Sequence, residues 1–457
     1  MVKRMAKHSA VILAAGKGVR MKSDLPKVLH RAGGYPLVAH VVRAVKEAGI
    51  EDIVMVVGHG REQVEKYFSA DNLGFVTQEQ QLGTGHALMQ AADSINPDST
   101  MLVLAGDIPL IQAATIKALI DYHEEKQAGA TVLSACLNNP SGYGRIVRGS
   151  GGELLKIVEE KDCSPEEKLI EEINSGIYLF QAGKVFAALS GLQTANAQGE
   201  YYLTDVLEIL NGQGQIVQVM LTDSSEDIYG VNHRVQLAEV EKVLRRRKNE
   251  SLMLEGVTII DPDSTFIDYT VQIGADTVIF PFTIITGDTR IGSRCEIGPS
   301  AYINDTVIGD ETIVEQSRIK ESVIGNLCTI GPFAYLRPGA NLADKVKVGD
   351  FVEIKNSNIG TNSKIPHLSY VGDAEVGQSV NIGAGTITCN YDGKNKYHTI
   401  LEDGVFIGSN TNLVAPVSIG KGSITGAGST ITRDVPANCL AVERAVQKVV
   451  PDRNKHD

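Results

Sequence analysis

The sequence predicts an α/β N-terminal domain with a mostly parallel sheet, followed by an all-β domain built as a parallel β-helix of hexapeptide repeats. Three observations lead to this prediction. Short apolar runs alternate with helical patterns up to about residue 228, aliphatic residues recur every six positions from about residue 251, and 457 residues are too many for one ordinary core. We therefore expect a first domain at 1–228, a linker helix at 229–250 and a β-helix domain at 251–457.

The N-terminal part contains four short apolar runs that predict buried strands, at residues 9–14, 52–57, 101–105 and 131–136. Between the first two runs, residues 36–48 carry apolar side chains on one helical face and begin with Pro36, a residue suited to a helix start. Strands that alternate with helices imply a mostly parallel sheet covered on both faces.

The C-terminal part carries two uninterrupted six-residue repeats of aliphatic residues. The first is Ile267, Ile273, Ile279, Ile285, Ile291, Ile297 and Ile303, and the second is Ile324, Ile330, Leu336, Leu342, Val348 and Ile354. This period matches neither a helix nor an isolated amphipathic strand. It indicates a solenoid in which each hexapeptide forms one side of a triangular coil and points its aliphatic side chain inward.

Composition narrows the possible functions. A net charge of −12 argues against a general nucleic-acid binder, and no apolar run approaches the roughly 20 residues that span a bilayer. Six widely spaced cysteines without a CxxC pair argue against a zinc site and a disulfide framework, and favour the cytoplasm. Four cations at 245–248 are expected in the last turn of the linker helix, where they complement its dipole.

A loop rich in small residues follows the first predicted strand. Gly16 and Gly18 allow close approach of the backbone to phosphate oxygens, and Arg20 and Lys27 add positive charge. The loop matches neither a dinucleotide fingerprint, since Met21 occupies a required glycine position, nor a Walker A loop. By composition alone, a phosphate-binding loop and an ordinary strand-to-helix turn are equally compatible with it.

Residues 13–27 nevertheless resemble the signature of sugar-1-phosphate nucleotidyltransferases. Further motifs of that kind follow in the same order, at 78–87, 105–107, 142–145, 157–159, 173–176, 198–205 and 230–232. Together with the repeats, they make nearly the whole chain similar to the bacterial bifunctional N-acetylglucosamine-1-phosphate uridylyltransferase/glucosamine-1-phosphate N-acetyltransferase family. The resemblance implies a Rossmann-like nucleotidyltransferase domain and a left-handed β-helix. Val19 and Ala105 depart from the pattern of many relatives; either can alter the nucleotide contacts, and neither removes a charged group.

The resemblance also implies roles for residues of the N-terminal domain. Arg20 and Lys27 would be catalytic, and Asp107 and Asn232 would hold Mg²⁺, a hard cation that oxygen ligands suit. UTP and the sugar phosphate would be bound by Leu13, Ala14, Ala15, Gly16, Lys27, Gln78, Gly83, Thr84, Gly144, Glu159, Asn174 and Asn232. Catalysis would rest on positioning and charge neutralisation, without a covalent intermediate.

Polar residues interrupt the second repeat and suggest a second site. Arg337 and Lys355 are one coil apart and are expected to stack about 5 Å from each other, which is costly unless an anion such as phosphate lies between or beside them. His367 follows; it can be a structural histidine at a coil corner or a base near neutral pH. A segment rich in Asn, Gly and Thr occupies 381–393.

In the resembling family, His367 is the base that takes the proton of the attacking amine. The amino-sugar phosphate would contact Arg337, Lys355, Tyr370, Asn381, Asn390 and Tyr391, and acetyl-CoA would contact Ala384, Ser409, Ala427 and Arg444. Glu353 is a candidate for orienting His367.

The resemblance thus implies a cytoplasmic bifunctional enzyme that acetylates glucosamine-1-phosphate and then makes UDP-N-acetylglucosamine, a step in peptidoglycan synthesis and cell-wall biogenesis. It also implies a homotrimer that shares acetyl-CoA sites between subunits, with small-molecule substrates, no nucleic acid and no membrane insertion. One alternative is a monofunctional sugar-1-phosphate nucleotidyltransferase with a structural or regulatory β-helix. Another is a binding scaffold with a degenerate catalytic domain. The residues around His367 discriminate, because neither alternative requires them.

Overall fold

The computed structural model describes residues 7–451, and the chain divides between Leu244 and Arg245 into two compact units. This division falls inside the expected linker helix. The domain limits 1–228, 229–250 and 251–457 stay predictions.

The N-terminal unit alternates strands and helices as expected. Its strands are β1 His8–Ala14, β2 Asp52–Val57, β3 Gly74–Thr77, β4 Thr100–Ala105, β5 Ala130–Cys136, β6 Arg145–Arg148, β7 Leu154–Val158, β8 Glu172–Gln181 and β9 Val217–Leu221, with a small hairpin of Arg31–Ala32 and Tyr35–Pro36. Its helices are α1 Leu37–Glu47, α2 Arg61–Tyr67, α3 Thr84–Met89, α4 Ala113–Glu125, α5 Ala182–Leu189 and α6 Asp205–Gly212, with 3-10 turns at Val19–Met21, Lys27–Leu29, Ala92–Ser94, Glu167–Leu169 and Ser225–Ile228.

The sheet has the order β9-β5-β8-β4-β1-β2-β3, and the hairpin of β6 and β7 joins β8. Along this order β8 is antiparallel to both neighbours, and the other pairs are parallel. The prediction of a mostly parallel sheet is confirmed. The strand order reverses direction between β1 and β4, so a crevice opens at their carboxyl ends, where ligands of such sheets bind.

Both faces of this sheet are covered. Along β1, Ala10, Ile12 and Ala14 point to one core, which includes α1, while Val11 points to the other, which includes α5. Full burial of a side chain as large as Val11 or Ile12 contributes about 1.5–3 kcal/mol through removal from water. Burial on both faces explains why the strands read as continuous apolar runs rather than alternating ones.

The long helix α7 spans Arg234–Leu254 and crosses the division of the chain. The expectation that the cations at 245–248 lie in its last turn is wrong, because the helix continues to Leu254, and Leu252 is buried in the core of the C-terminal unit. Two of these cations contact the first coil: the Arg245 guanidinium lies 4.3 Å from the centre of the Phe266 ring, and Lys248 donates to the Val271 carbonyl at 2.7 Å. They have structural partners within the C-terminal unit.

The C-terminal unit is a parallel β-helix with three sheets. The first sheet stacks Thr258–Ile259, Val278–Ile279, Glu296–Ile297, Ile313–Val314, Thr329–Ile330, Lys347–Asp350, Lys364–His367, Asn381–Ile382, Phe406–Ile407, Ile424–Thr425 and Leu440–Ala441. The second stacks Phe266–Ile267, Ile284–Thr286, Tyr302–Asn304, Arg318–Lys320, Tyr335–Leu336, Glu353–Lys355, Tyr370–Gly372, Ile387–Cys389, Asn412–Val414 and Thr430–Ile431. The third stacks Gln272–Ile273, Arg290–Ile291, Val307–Ile308, Val323–Ile324, Ala340–Leu342, Ser357–Ile359, Ala374–Val376, Thr399–Leu401 and Val417–Ile419.

The repeated aliphatic residues form the core of this β-helix, as the sequence predicted. Ile285 pairs with Ile303 one coil further on, and both are fully buried. The two repeats are separate because the coils between them are shorter: Ile303 pairs with Ile319, 16 residues later, and Ile308 with Ile324. Shorter corners thus break the six-residue period without interrupting the stack.

Within residues 7–451, no helix combines the length and the apolar character that crossing a membrane would require.

Candidate functional sites

The N-terminal unit contains a cavity of about 610 Å³ at the carboxyl ends of β1 and β4, where the strand order reverses. Leu13 and Ala14 end β1 at its wall, and Ala105 and Asp107 come from β4 and the turn after it. A cavity of this size holds a ligand as large as a nucleotide.

Cations and oxygen ligands meet at one side of this cavity. The Lys27 ammonium contacts Asp107 Oδ2 and lies 3.5 Å from Asn232 Oδ1, which also accepts from Arg20 Nη2 at 2.8 Å. One carboxylate and one amide oxygen therefore converge on a single cation, which is the donor set a hard divalent ion takes when phosphate oxygens complete its shell. The Asp107 and Asn232 side chains fit Mg²⁺. No cluster of three or more His, Cys, Asp or Glu side chains that could hold a metal occurs within residues 7–451.

The loop that carries these cations depends on Gly18. This residue has φ of 59°, in the left-handed region, and a Cβ placed on it would lie 2.6 Å from the Lys27 Cβ. Only glycine lets the loop turn here and lets Lys27 pass so close to its backbone.

A second part of the cavity is polar and rigid. Gln78 is buried, and its side-chain amide donates to the Gly83 carbonyl at 3.0 Å and lies 3.0 Å from His86 Nδ1. Gly83 has φ of 109°, and an added Cβ would lie 2.6 Å from the Tyr201 carbonyl oxygen. The Gln78 side chain and the Gly83 backbone are therefore held in place before any ligand arrives, as recognition of a planar base requires.

A third part of the cavity is formed by Gly144, Glu159 and Asn174. The Asn174 amide N–H donates to the Gly144 carbonyl at 2.9 Å, and the Asn174 side chain donates to the Tyr178 hydroxyl at 2.8 Å. Thr204 donates to Glu159 at 3.4 Å. Burial raises the pKa of Glu159, and the hydrogen bond from Thr204 opposes this rise. A carboxyl and an amide at the wall of a cavity can bind the hydroxyls of a sugar.

The structure brings the predicted residues of this domain together. Every one of them lines the cavity except Arg20, which reaches its edge through Asn232: Leu13, Ala14, Ala15, Gly16, Lys27, Gln78, Gly83, Thr84, Asp107, Gly144, Glu159, Asn174 and Asn232. The two departures from the family pattern differ, since Ala105 lines the cavity whereas Val19 is 78% exposed and lies outside its lining.

In the β-helix, Arg337 follows the strand Tyr335–Leu336, and Lys355 ends the strand Glu353–Lys355 that pairs with it. The two residues therefore lie one coil apart, as expected from the coil length. The anion beside Arg337 is a protein carboxylate: Arg337 Nη1 lies 2.7 Å from Glu353 Oε1. The suggestion that Glu353 orients His367 is wrong for this structure, because the guanidinium holds that carboxylate.

Lys355 belongs to a larger polar cluster. The neighbouring Lys355 side chain lowers the pKa of Lys396, and Asp373 lies near both ammonium groups. Asp373 is buried; its carboxylate accepts from Asn390 Nδ2 at 2.5 Å, and the same Asn390 amide lies 3.4 Å from the Tyr370 hydroxyl. This cluster holds two cations near one carboxylate, an arrangement suited to binding an anion.

His367 lies on a different column of the β-helix, at the end of a strand in the first sheet. Asp350 pairs with it from the preceding coil, and the His367 Nδ1 atom lies 2.6 Å from Asp350 Oδ1. The registers of the following strands put Ala384, Ser409 and Ala427 at the same position of successive coils. The histidine and three of the predicted acetyl-CoA contacts therefore form one line along the outside of the β-helix.

The segment 381–393, rich in Asn, Gly and Thr, is only partly irregular. Asn381–Ile382 and Ile387–Cys389 remain regular strands, and the pairing of Asn381 with Phe406, 25 residues later, puts the additional residues after Cys389. Tyr391 lies in this loop, is 61% exposed, and donates to the Gly393 carbonyl at 2.7 Å.

Tyr391 forms an isolated antiparallel β-bridge with Lys396 of this cluster. Within residues 7–451, no hydrogen bond or ion pair joins Asn381 or Arg444 to the cluster. Arg444 lies near Gly428, whose added Cβ would be 3.8 Å from Arg444 Cδ.

Sequence reasoning missed Asp350, Asp373 and Lys396. The first two could have been found from the coil length, because Asp350 precedes His367, and Asp373 precedes Asn390, by 17 residues each. Lys396 lies in the irregular loop, where no repeat predicts its position.

Comparisons with family models match both parts of the chain. Residues 10–161 match the MobA-like NTP transferase domain, residues 262–365 match the GMPPB C-terminal domain, and residues 398–433 match six repeats of the bacterial transferase hexapeptide.

Relatives similar over nearly the whole chain share one name. The bifunctional protein GlmU of Syntrophomonas wolfei is 65% identical over 97% of this chain and 99% of its own length. Those of Desulfitobacterium hafniense strain DCB-2 and Clostridioides difficile strain 630 are 53% and 48% identical, over 99% and 98% of this chain and 100% and 98% of their own lengths. With this identity over 97–99% of its length, the chain belongs to the family of the bifunctional protein GlmU.

Proposed function

We propose that this enzyme makes UDP-N-acetylglucosamine in two steps, an acetyl transfer from acetyl-CoA to glucosamine-1-phosphate and a uridylyl transfer from UTP to the product. The observation that carries the proposal is that the two units hold sites of different chemistry. In the N-terminal unit, Lys27, Asp107 and Asn232 meet in a cavity that can hold a nucleotide. On the β-helix, His367 contacts the carboxylate of Asp350. A monofunctional nucleotidyltransferase has no need of the second.

In the uridylyl transfer, a phosphate oxygen of the sugar attacks the α-phosphorus of UTP in line, and pyrophosphate leaves. Arg20 and Lys27 neutralise the phosphate charge, Gln78 and the Gly83–Thr84 backbone bind uracil, and Gly144, Glu159 and Asn174 bind the sugar. The rate comes from positioning and electrostatic stabilisation. The expected ligands of Mg²⁺ are Asp107 and Asn232; when bound, the ion neutralises charge on the phosphates.

In the acetyl transfer, His367 takes a proton from the amine of glucosamine-1-phosphate as the amine attacks the thioester carbon. Arg337, Lys355, Tyr370, Asn381, Asn390 and Tyr391 bind the amino-sugar phosphate, and Ala384, Ser409, Ala427 and Arg444 bind acetyl-CoA. A phosphate at Arg337 has to share the guanidinium with Glu353, whereas Lys355 and Lys396 offer two ammonium groups near a single carboxylate, Asp373. We therefore place the phosphate nearer to the two lysines.

The chain forms a homotrimer in this proposal, with the acetyl-CoA site shared between subunits. The support is a set of apolar residues at one corner of the β-helix, each more than half exposed: Phe333, Phe351 and Leu368 lie in successive coils, and Phe282 lies three coils before Phe333. The Phe333 and Phe351 rings stack, with their centres 5.5 Å apart and an angle of 14° between their planes. Such a patch on a soluble surface is typical of an interface, and Leu368 follows His367 directly in the chain. We propose the cytoplasm as its location, where UTP and acetyl-CoA are available.

Two variants and two assays test the proposal. We expect His367→Ala to lose thiol release from acetyl-CoA with glucosamine-1-phosphate but to keep pyrophosphate release from UTP, and Asp107→Ala to do the reverse. Removal of divalent ions by chelation should abolish only the pyrophosphate release. Normal acetylation by His367→Ala would refute the assignment of the second site, and a wild-type enzyme without acetyl transfer would refute the bifunctional proposal.

A further inference from the structure

The contact between Asp350 and His367 is built into two adjacent coils. The strands Lys347–Asp350 and Lys364–His367 pair in register, so that the two residues face each other at their ends. The Leu368 amide donates to the Asp350 carbonyl at 2.9 Å, which fixes the two corners together. The side chains then meet at 2.6 Å between His367 Nδ1 and Asp350 Oδ1, and this hydrogen bond lowers the pKa of Asp350.

This contact selects the atom that can act as a base. A carboxylate only accepts hydrogen bonds. In the neutral ring, which is the form that acts as a base, the single N–H therefore lies on Nδ1, and Nε2 keeps its lone pair. The side chain of His367 is 57% exposed, which leaves its ring accessible for a substrate. Without a partner, a neutral imidazole at an exposed corner would populate both tautomers and several rotamers, and only a fraction of molecules would be ready to accept a proton.

Neighbouring charges do not provide an equivalent contact. Arg337 holds the Glu353 carboxylate, Asn356 and Asn390 donate to Asp373, and the following coil places Ala384 beside His367. Lys364 lies on the same strand as His367, with its side chain exposed to solvent.

We propose that Asp350 is the positioning residue for His367 in acetyl transfer, fixing the orientation and the tautomer of the ring so that Nε2 faces the attacking amine. The inference rests on the proposed function of His367. In the step, the amine nitrogen forms a bond to the thioester carbon while one of its protons passes to Nε2. The carbon–sulfur bond breaks with its electron pair on sulfur, and the thiolate then takes the proton from Nε2.

The test compares Asp350→Asn and Asp350→Glu with a matched control. Glu311→Gln is the control, because Glu311 pairs with Arg294 at 2.9 Å across two coils of the same β-helix in the way that Asp350 pairs with His367. An asparagine can turn its NH₂ group to Nδ1 and stabilise the wrong tautomer. We expect Asp350→Asn to lower kcat of acetyl transfer roughly 10- to 100-fold, by analogy with the loss found when the carboxylate that orients a metal-bound histidine is removed. KM for both substrates should stay within about twofold and uridylyl transfer should not change.

Rescue by the conservative variant separates positioning from a merely structural role. Asp350→Glu keeps a carboxylate that can accept a hydrogen bond from Nδ1, so it should restore part of the kcat that Asp350→Asn loses, at an unchanged KM. In the His367→Ala background, Asp350→Asn should have no further effect on kcat.

Each outcome supports or contradicts the inference. If His367→Ala abolishes acetyl transfer and Asp350→Asn keeps a wild-type kcat, the inference alone is wrong. If Asp350→Asn changes KM as much as kcat and lowers the melting temperature, while the melting temperature of Glu311→Gln equals that of the wild type, Asp350 is structural and the inference is again wrong. If His367→Ala acetylates normally, the proposed function itself fails. If Asp350→Asn does not fold, Asp350→Glu decides: a lower kcat at an unchanged KM supports the inference, and a change in KM as large as that in kcat contradicts it.

Discussion

Substitution of Gly18 by alanine should damage uridylyl transfer by displacing Lys27. The new Cβ would lie 2.6 Å from the Lys27 Cβ, whereas two carbon atoms in contact prefer roughly 3.5 Å, so one of the two must move by about 0.9 Å. A misplacement of about 1 Å can cost roughly 100-fold in rate, or about 2.7 kcal/mol. The left-handed φ of 59° should cost a further 1–2 kcal/mol of stability, roughly.

The assay is steady-state pyrophosphate release by Gly18→Ala, with thiol release from acetyl-CoA measured on the same preparation. Gly49→Ala is the matched control, because Gly49 also has a positive φ, 92°, but a Cβ there meets nothing within 4 Å. The control should lose stability and keep both activities. If Gly18→Ala transfers uridylyl groups within threefold of the wild type, while its fold is intact, the close approach of Lys27 does not position the catalytic cation and the reasoning is refuted.

Three further predictions concern packing, pH and assembly. Ile330→Ala, at a fully buried position, should lower the free energy of unfolding by 2–5 kcal/mol, roughly, in chemical denaturation; a loss below 0.5 kcal/mol would contradict its place in the core. Burial lowers the pKa of His40 to about 4, so the unfolded chain takes up a proton below pH 6.5 before the folded one does. The N-terminal unit should therefore lose stability from about pH 6.5 down to about 4. The stability of His40→Gln should depend less on pH over this range, in acid unfolding monitored by the loss of uridylyl transfer. Phe333→Glu should convert the proposed trimer to smaller species in sedimentation and lower acetyl transfer but not uridylyl transfer; sedimentation identical to that of the wild type would remove this corner from the interface.

Much of the N-terminal site could be predicted because its residues lie next to elements that the sequence marks clearly. Asp107 follows a strand of buried aliphatic residues, and the loop of Gly18 follows another; parallel strands bring both to the same edge. Contacts between distant loops could not be predicted. The meeting of Arg20 with Asn232 joins residues 212 positions apart, and neither a period nor a strand end indicates it.

In the β-helix, the period predicted the core and the stacking of Arg337 on Lys355. It could not predict which acidic side chain each cation or histidine would contact, because that depends on rotamers at the coil corners. The partner of His367 illustrates this. Glu353 forms its ion pair with Arg337, whereas Asp350 ends the strand that pairs with the strand of His367. The end of helix α7 was also missed, because Leu252 is held by burial rather than by a local stop signal.

The shortness of the strands in the β-helix has a consequence for how the enzyme would fail on warming. Each coil is bound to its neighbours by strands of two to four residues, and the last strand, Leu440–Ala441, pairs with a single other strand. In such a stack, coils separate one at a time, beginning with a coil that has one neighbour. Ala427 and Arg444 lie at this end, whereas His367 lies several coils inward. Fraying of the terminal coil would therefore first displace Ala427 and Arg444, the proposed contacts of acetyl-CoA. The KM for acetyl-CoA would then rise at temperatures well below the one at which the enzyme denatures.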